Sequence, residues 1–190
     1  MRCQNQLGMM TILLAFFVPT LTANAQSPEQ LSVSGTETAY VLAVPVSRLE
    51  LLVPKGELVQ KAVNIGGSTA NPRYFHFETG RGMIVSGWFE PSKLYRGIEH
   101  FWDQEMSVWP QTRLPIPTNV SKEKFGNWDV VFYQIPTPAG SSAHARAHWV
   151  QSGTWIDIHI SVTSATSYSA NRHEVEEFLK TLVVNEKPHG

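Results

Sequence analysis

Residues 143–161 read AHARAHWVQSGTWIDIHIS, and in this stretch His144, Arg146, His148, Asp157 and His159 recur at every second position on either side of Ser152-Gly153. These side chains can do chemistry. Imidazole exchanges protons near neutral pH, a guanidinium forks a carboxylate or phosphate, and a carboxylate can orient an imidazole base. A spacing of two places successive side chains on one face of a strand. With Ser152-Gly153 as a two-residue turn, His148 faces Asp157, Arg146 faces His159 and His144 faces Ser161. One face of the hairpin then carries Ala145, Ala147, Trp149, Ile156, Ile158 and Ile160, a core surface. The other carries the histidines, the arginine and the aspartate. A slip of one residue would mix isoleucine with histidine on both faces, so the pattern argues against it, whereas a four-residue loop over 152–155 would keep the same faces and set His148 against His159.

Several uses of the polar face follow from the residue types. The plainest is a solvated surface whose charges pair across strands. As a binding site, His144, Arg146, His148, Trp155, Asp157 and His159 would combine: Arg146 takes the acidic group of a small anionic ligand, the imidazoles add donors, and Trp155 supplies an apolar wall. Residues 137–143 would form its rim. As a metal site, His148, Asp157 and His159 could converge. His144 and His148 lie about 13 Å apart along a strand and could not share one ion. As a hydrolase, a His148-Asp157 dyad would serve as base and orienter, although no G-x-S-x-G elbow is present. In the directly opposed pair the carboxylate would favour the imidazolium and raise the His148 pKa. No cofactor is implied. IGGST at 65–69 lacks the lysine of a phosphate-binding loop, and GRGMIVSG at 80–87 has the wrong glycine spacing for a dinucleotide fingerprint.

The elements that must position this face can be read along the chain. Arg2, the apolar run 9–18, Pro19 and Ala23-Asn24-Ala25 have the layout of a secretory signal peptide over residues 1–25, which implies an exported protein, periplasmic or secreted. Cys3 is the only cysteine and precedes the apolar run, so neither a lipid anchor nor a disulfide is expected. Lysine plus arginine (15) and aspartate plus glutamate (16) nearly balance, and no basic run follows residue 25, which argues against nucleic acid and anionic membranes as partners. Residues 26–39 are polar and read as a flexible leader, residues 40–186 as a single domain, and 187–190 as a tail.

Within the domain, residues 40–53 suggest a strand broken at Pro45, and 73–78 with 83–89 a hairpin; 127–135 suggests another strand. Leu94, Ile98, Phe101, Trp102, Met106 and Trp109 recur at helical spacing up to Pro110. A second helix is expected with Asn171 as cap, Glu174 three residues later, and an apolar face of Val175, Phe178, Leu179, Leu182 and Val183. Strands joined by short turns plus two amphipathic helices imply an α+β fold, a single antiparallel sheet flanked by two helices.

The element order, the LLVP strand end at 51–54 and the closing IDIHISVTS strand followed by EVEEFLKTL resemble the PsbP-like fold over residues 49–184. The resemblance implies an antiparallel sheet flanked by helices and an accessory or ligand-binding role, and it transfers no functional residue. The expected function is an exported, non-catalytic binding or accessory protein that uses the polar face for a small anionic ligand or a protein partner. The alternatives are an exported hydrolase with the His-Asp dyad and a structural domain that docks a partner.

Overall fold

The computed structural model describes residues 31–44, 47–61, 73–138 and 140–187. The expected signal peptide, Cys3, Pro45 and the 66–69 loop lie outside them. Eleven strands and two α-helices occur in the described chain: β1 Ser32–Gly35, β2 Ala39–Ala43, β3 Leu49–Pro54, β4 Val59–Gln60, β5 Tyr74–Glu78, β6 Met83–Pro91, α1 Ile98–Val108, β7 Thr118–Phe125, β8 Trp128–Thr137, β9 Gly140–Gln151, β10 Thr154–Ser164, α2 Tyr168–Thr181 and β11 Val183–Glu186.

All strand pairings are antiparallel, and they form two sheets instead of one. A seven-stranded sheet runs β4-β5-β6-β10-β9-β8-β7, and a four-stranded sheet runs β1-β2-β3-β11. The expectation of a single sheet flanked by two helices is therefore wrong: there are two sheets, and strand makes up 53% of the described residues against 22% helix. The difference comes from weakly patterned segments. Ser32–Gly35, placed by its polarity in a flexible leader, pairs with β2. Val183–Glu186, read in part as the end of a helix, leaves α2 and adds an edge to β3. Polar edge strands carry little hydrophobic alternation because only one neighbour and half a face constrain them.

Burial explains how the layers stack. β3 alternates Leu49, Leu51 and Val53 inward, and these side chains join Phe75, Phe77, Val85, Phe89, Ile156, Ile158 and Ile160 of the larger sheet in one apolar core. α2 adds Val175, Leu179 and Leu182 to the same core. Its N-terminus is capped by Ser167, whose hydroxyl accepts from the Ala170 amide at 3.3 Å. Asn171, expected as the cap, is instead buried inside the helix. Its amide donates to the Ser141 carbonyl at 2.9 Å and its carbonyl accepts from the hydroxyls of Ser164 and Thr166.

α1 lies on the opposite face of the seven-stranded sheet. There Trp102 and Trp109 pack with Val131, Tyr133 and Ile135 in a second, separate apolar cluster. α1 ends at Val108, ahead of Pro110 as expected, and a 3-10 turn over Trp109–Thr112 takes the proline in its first turn. β6 crosses close to β10 at Gly87, where a Cβ would lie 2.2 Å from the Asp157 carbonyl oxygen. Replacing Leu179 with alanine is expected to cost about 2–5 kcal/mol in urea unfolding, since it truncates a fully buried side chain in the larger core. A loss under about 0.5 kcal/mol would mean α2 is not docked.

Candidate functional site

The β9–β10 hairpin turns at Ser152 (φ 48°) and Gly153 (φ 76°), the positive φ values of a tight two-residue hairpin turn. His148 is opposite Asp157, Arg146 opposite His159 and His144 opposite Ser161. All six candidate residues from this hairpin stand on the face that α1 shares. That face is covered, not open: Arg146, His148 and Asp157 are buried, and His144, Trp155 and His159 are partly so.

Arg146 organises the layer. Its Nε and NH2 groups donate to the two carboxylate oxygens of Asp157 at 3.3 and 2.6 Å, a diagonal fork across the hairpin. NH1 donates to Glu105 of α1 at 3.1 Å, and the guanidinium lies over the Phe101 ring at 4.6 Å. Burial alone would lower the Arg146 pKa; the fields of Asp157 and Glu105 outweigh it and the group stays charged. An incoming anion would have to displace two carboxylates that belong to the fold.

The His148-Asp157 dyad does not form. His148 Nδ1 and the nearest Asp157 oxygen are 3.8 Å apart, and Nδ1 instead accepts a hydrogen bond from the Trp155 indole at 2.9 Å. An imidazole accepting at Nδ1 is neutral, with its proton on Nε2. Phe101 packs on the ring at a centroid distance of 4.2 Å and Tyr95 stacks at 5.4 Å. Burial, with Arg146 nearby, pushes the His148 pKa down to about 3. The expected rise is thus reversed, because Asp157 spends its charge on Arg146 and the imidazole is sealed by aromatic rings.

The third group is a hydrogen-bonded row. Thr163 Oγ1 donates to Ser142 Oγ at 3.0 Å, Ser142 Oγ lies 2.5 Å from His144 Nε2, and His144 Nδ1 lies 3.0 Å from His159 Nε2. His144 stacks on Tyr133 and is nearly parallel to His159. Burial lowers the His144 pKa to about 4 and holds His159 well below its usual range. Ser142 has the form of an activated hydroxyl, but it is buried, and β9 is paired on both edges, so its backbone amides are committed to the ladder and cannot receive an oxyanion. Among the described residues no group of three histidine, cysteine or acidic side chains is placed to hold a metal ion.

The residues that change the reading are Glu105, Phe101, Tyr95 and Tyr133. Phe101 and Glu105 are four apart on a helix and share a face. That spacing was the available signal that the aromatic stripe carries an acid toward Arg146.

An open concavity lies elsewhere, at the end of the sheet beside the β7–β8 turn. Its volume is about 510 Å³. Trp128, Leu179 and Leu182 form the floor, half-buried Phe125 and Trp149 the walls, and Lys124, Asn127 and Lys180 the rim. Trp128 and Trp149 meet edge to face at 5.0 Å. A neighbouring hollow of about 480 Å³ shares Lys124, Asn127 and Trp149 and continues to Tyr95 and Asp129. Trp149 was placed on the core face by its alternation; its position near the hairpin end leaves it at the core's border. No family model matches the chain, and no curated protein matches it either.

Two outcomes follow from the buried layer. Asp157→Asn is expected to cost about 3–5 kcal/mol at pH 7 in urea unfolding, because it leaves the buried guanidinium with one partner. A cost below about 1 kcal/mol would show that water reaches Arg146. Separately, His144 and His148 titrate lower folded than unfolded, so their stabilising contribution is fully present above about pH 6.5 and is lost as pH falls toward 4 and 3 respectively. Each adds a slope of about 1.4 kcal/mol per pH unit below its unfolded pKa. Unfolding free energies that are equal at pH 7 and 5 would contradict the buried neutral state.

Proposed function

We propose that the protein is an exported, non-catalytic binding protein that takes a small ring-bearing ligand in the groove beside Trp149. The observation that carries this reading is the open groove itself: two half-buried aromatic walls over a buried apolar floor, in a volume within the usual range for small-molecule sites. Half-buried aromatic walls lose their remaining water when a ring stacks between them. Both rim lysines are exposed, and they pair with acids, Lys124 with half-buried Asp129 and Lys180 with exposed Glu177. Such pairs are worth about 1 kcal/mol or less, so an acidic ligand group can replace them at small cost.

The polar face supports the same conclusion from the other side. Its arginine, aspartate and histidines bond to one another and to α1, which leaves them as internal structure and moves the binding role to the groove. The accessory role implied by the PsbP-like resemblance accords with a binding protein and adds no ligand identity.

Anilinonaphthalene sulfonate, a ring-bearing anion, is the probe for a fluorescence titration at pH 7. Saturable binding is expected at one site per chain, and Trp149→Ala should weaken it about 30-fold, the equivalent of about 2 kcal/mol at an aromatic anchor. Unchanged affinity in Trp149→Ala would overturn the groove. Loss of binding in a folded Arg146→Met variant instead would return the role to the polar face.

A further inference from the structure

We propose that α1 is an acid-released cover: protonation of the His144–His159 pair detaches α1 from the polar face of the seven-stranded sheet while the two-sheet core behind it stays folded. The inference is independent of the groove.

The pair is the reason. Its nitrogens are 3.0 Å apart, with ring centroids at 5.2 Å, so the two imidazoles share a single proton between facing nitrogens. One added proton, taken at an outer nitrogen, puts a new cation beside Arg146, and protonating both rings sets two N–H donors face to face. The charges that face the pair leave it no counter-ion. On β10 and α1, Asp157 and Glu105 are engaged by Arg146. On β5, Glu78 is engaged by His76, itself a second basic group on that side. On β8, Asp129 is engaged by Lys124 of β7, and Lys122 of β7 holds Glu99 of α1. β6 contributes Glu90, level with Trp155 and four residues along β10 from His159. His148 on β9 is neutral, and Tyr133 and Tyr95 hold their protons more firmly than usual because they are buried. Burial already disfavours the charged form of both imidazoles.

A cation on this partly exposed pair acts on α1 through two side chains: Tyr133, which stacks on His144 and packs against Trp102, and Arg146, which holds Glu105. Behind the hairpin lies the larger core, which contains Ala145, Ile158 and Ile160. In front lies α1, which is held by Phe101, Trp102 and Trp109 and by two ion pairs, Glu105 with Arg146 and Glu99 with Lys122. Because the α1 cluster and the larger core have no buried residue in common, the first can open without breaking the second.

Two-dimensional amide NMR of the full chain between pH 7 and 3.5 tests the proposal. The signals of residues 101–108 are expected to leave their native positions between about pH 6 and 4, while those of 49–53 and 175–179 stay native. His144→Gln combined with His159→Gln should move the α1 midpoint down by at least about one pH unit. Glu105→Gln, which loosens the cover and leaves the histidines intact, should move it up. Simultaneous loss of all signals, or native α1 signals down to pH 3.5, would overturn the proposal. If the double variant does not fold, an α1 midpoint unmoved in Glu105→Gln overturns it as well.

Discussion

A buried guanidinium has to be paired, and the layer between the seven-stranded sheet and α1 is built around that requirement at Arg146. The carboxylate of Asp157 satisfies two of its donors across the hairpin, and Glu105 satisfies a third from the helix. A charge taken out of water without such partners costs several kcal/mol, so at neutral pH Arg146 ties β9, β10 and α1 together. The rest of the layer follows from this commitment. With Asp157 spent, His148 turns to the Trp155 indole and stays neutral under Phe101. His144 and His159 are held neutral chiefly by burial.

The two faces of the seven-stranded sheet divide the work. One face, with the smaller sheet and α2, is apolar and continuous, and it accounts for most of the buried side chains. The other is a polar layer of rings and charges under one short helix. Where the first face runs out, at Trp128 and Trp149, the core is left open at its border and becomes a groove. The groove is thus a consequence of where α2 and the small sheet stop. It needs no dedicated loop.

The hairpin was legible because a period of two over a long, strongly coloured run admits one division of faces, and Ser152-Gly153 suits the two-residue turn that sets the register. The identity of its core face follows from Ile156, Ile158 and Ile160 alternating with Asp157 and His159. What alternation cannot say is what lies over the polar side. Histidine, arginine and aspartate read as a solvated face until Glu105 and the aromatic stripe of α1 are placed upon them. The second sheet was illegible for a different reason. Its outer strands, Ser32–Gly35 and Val183–Glu186, are exposed, polar or short and lack the pattern that buried strands carry, as does Thr118–Phe125 at the edge of the larger sheet. Asn171 misled because a capping residue and a buried amide bonded to a neighbouring strand look identical in sequence.

The position of β11 has a consequence for how the chain is made. The strand it joins, β3, ends at Pro54, and β11 begins at Val183, so one edge of the small sheet is completed only by a strand far downstream of it. Val175, Leu179 and Leu182, which close the core, arrive just before it. Until then Leu49, Leu51 and Val53 have part of their covering missing. Contacts between residues so far apart in the chain form slowly. During that interval the chain presents an apolar sheet and an unpaired edge together, a combination prone to aggregation.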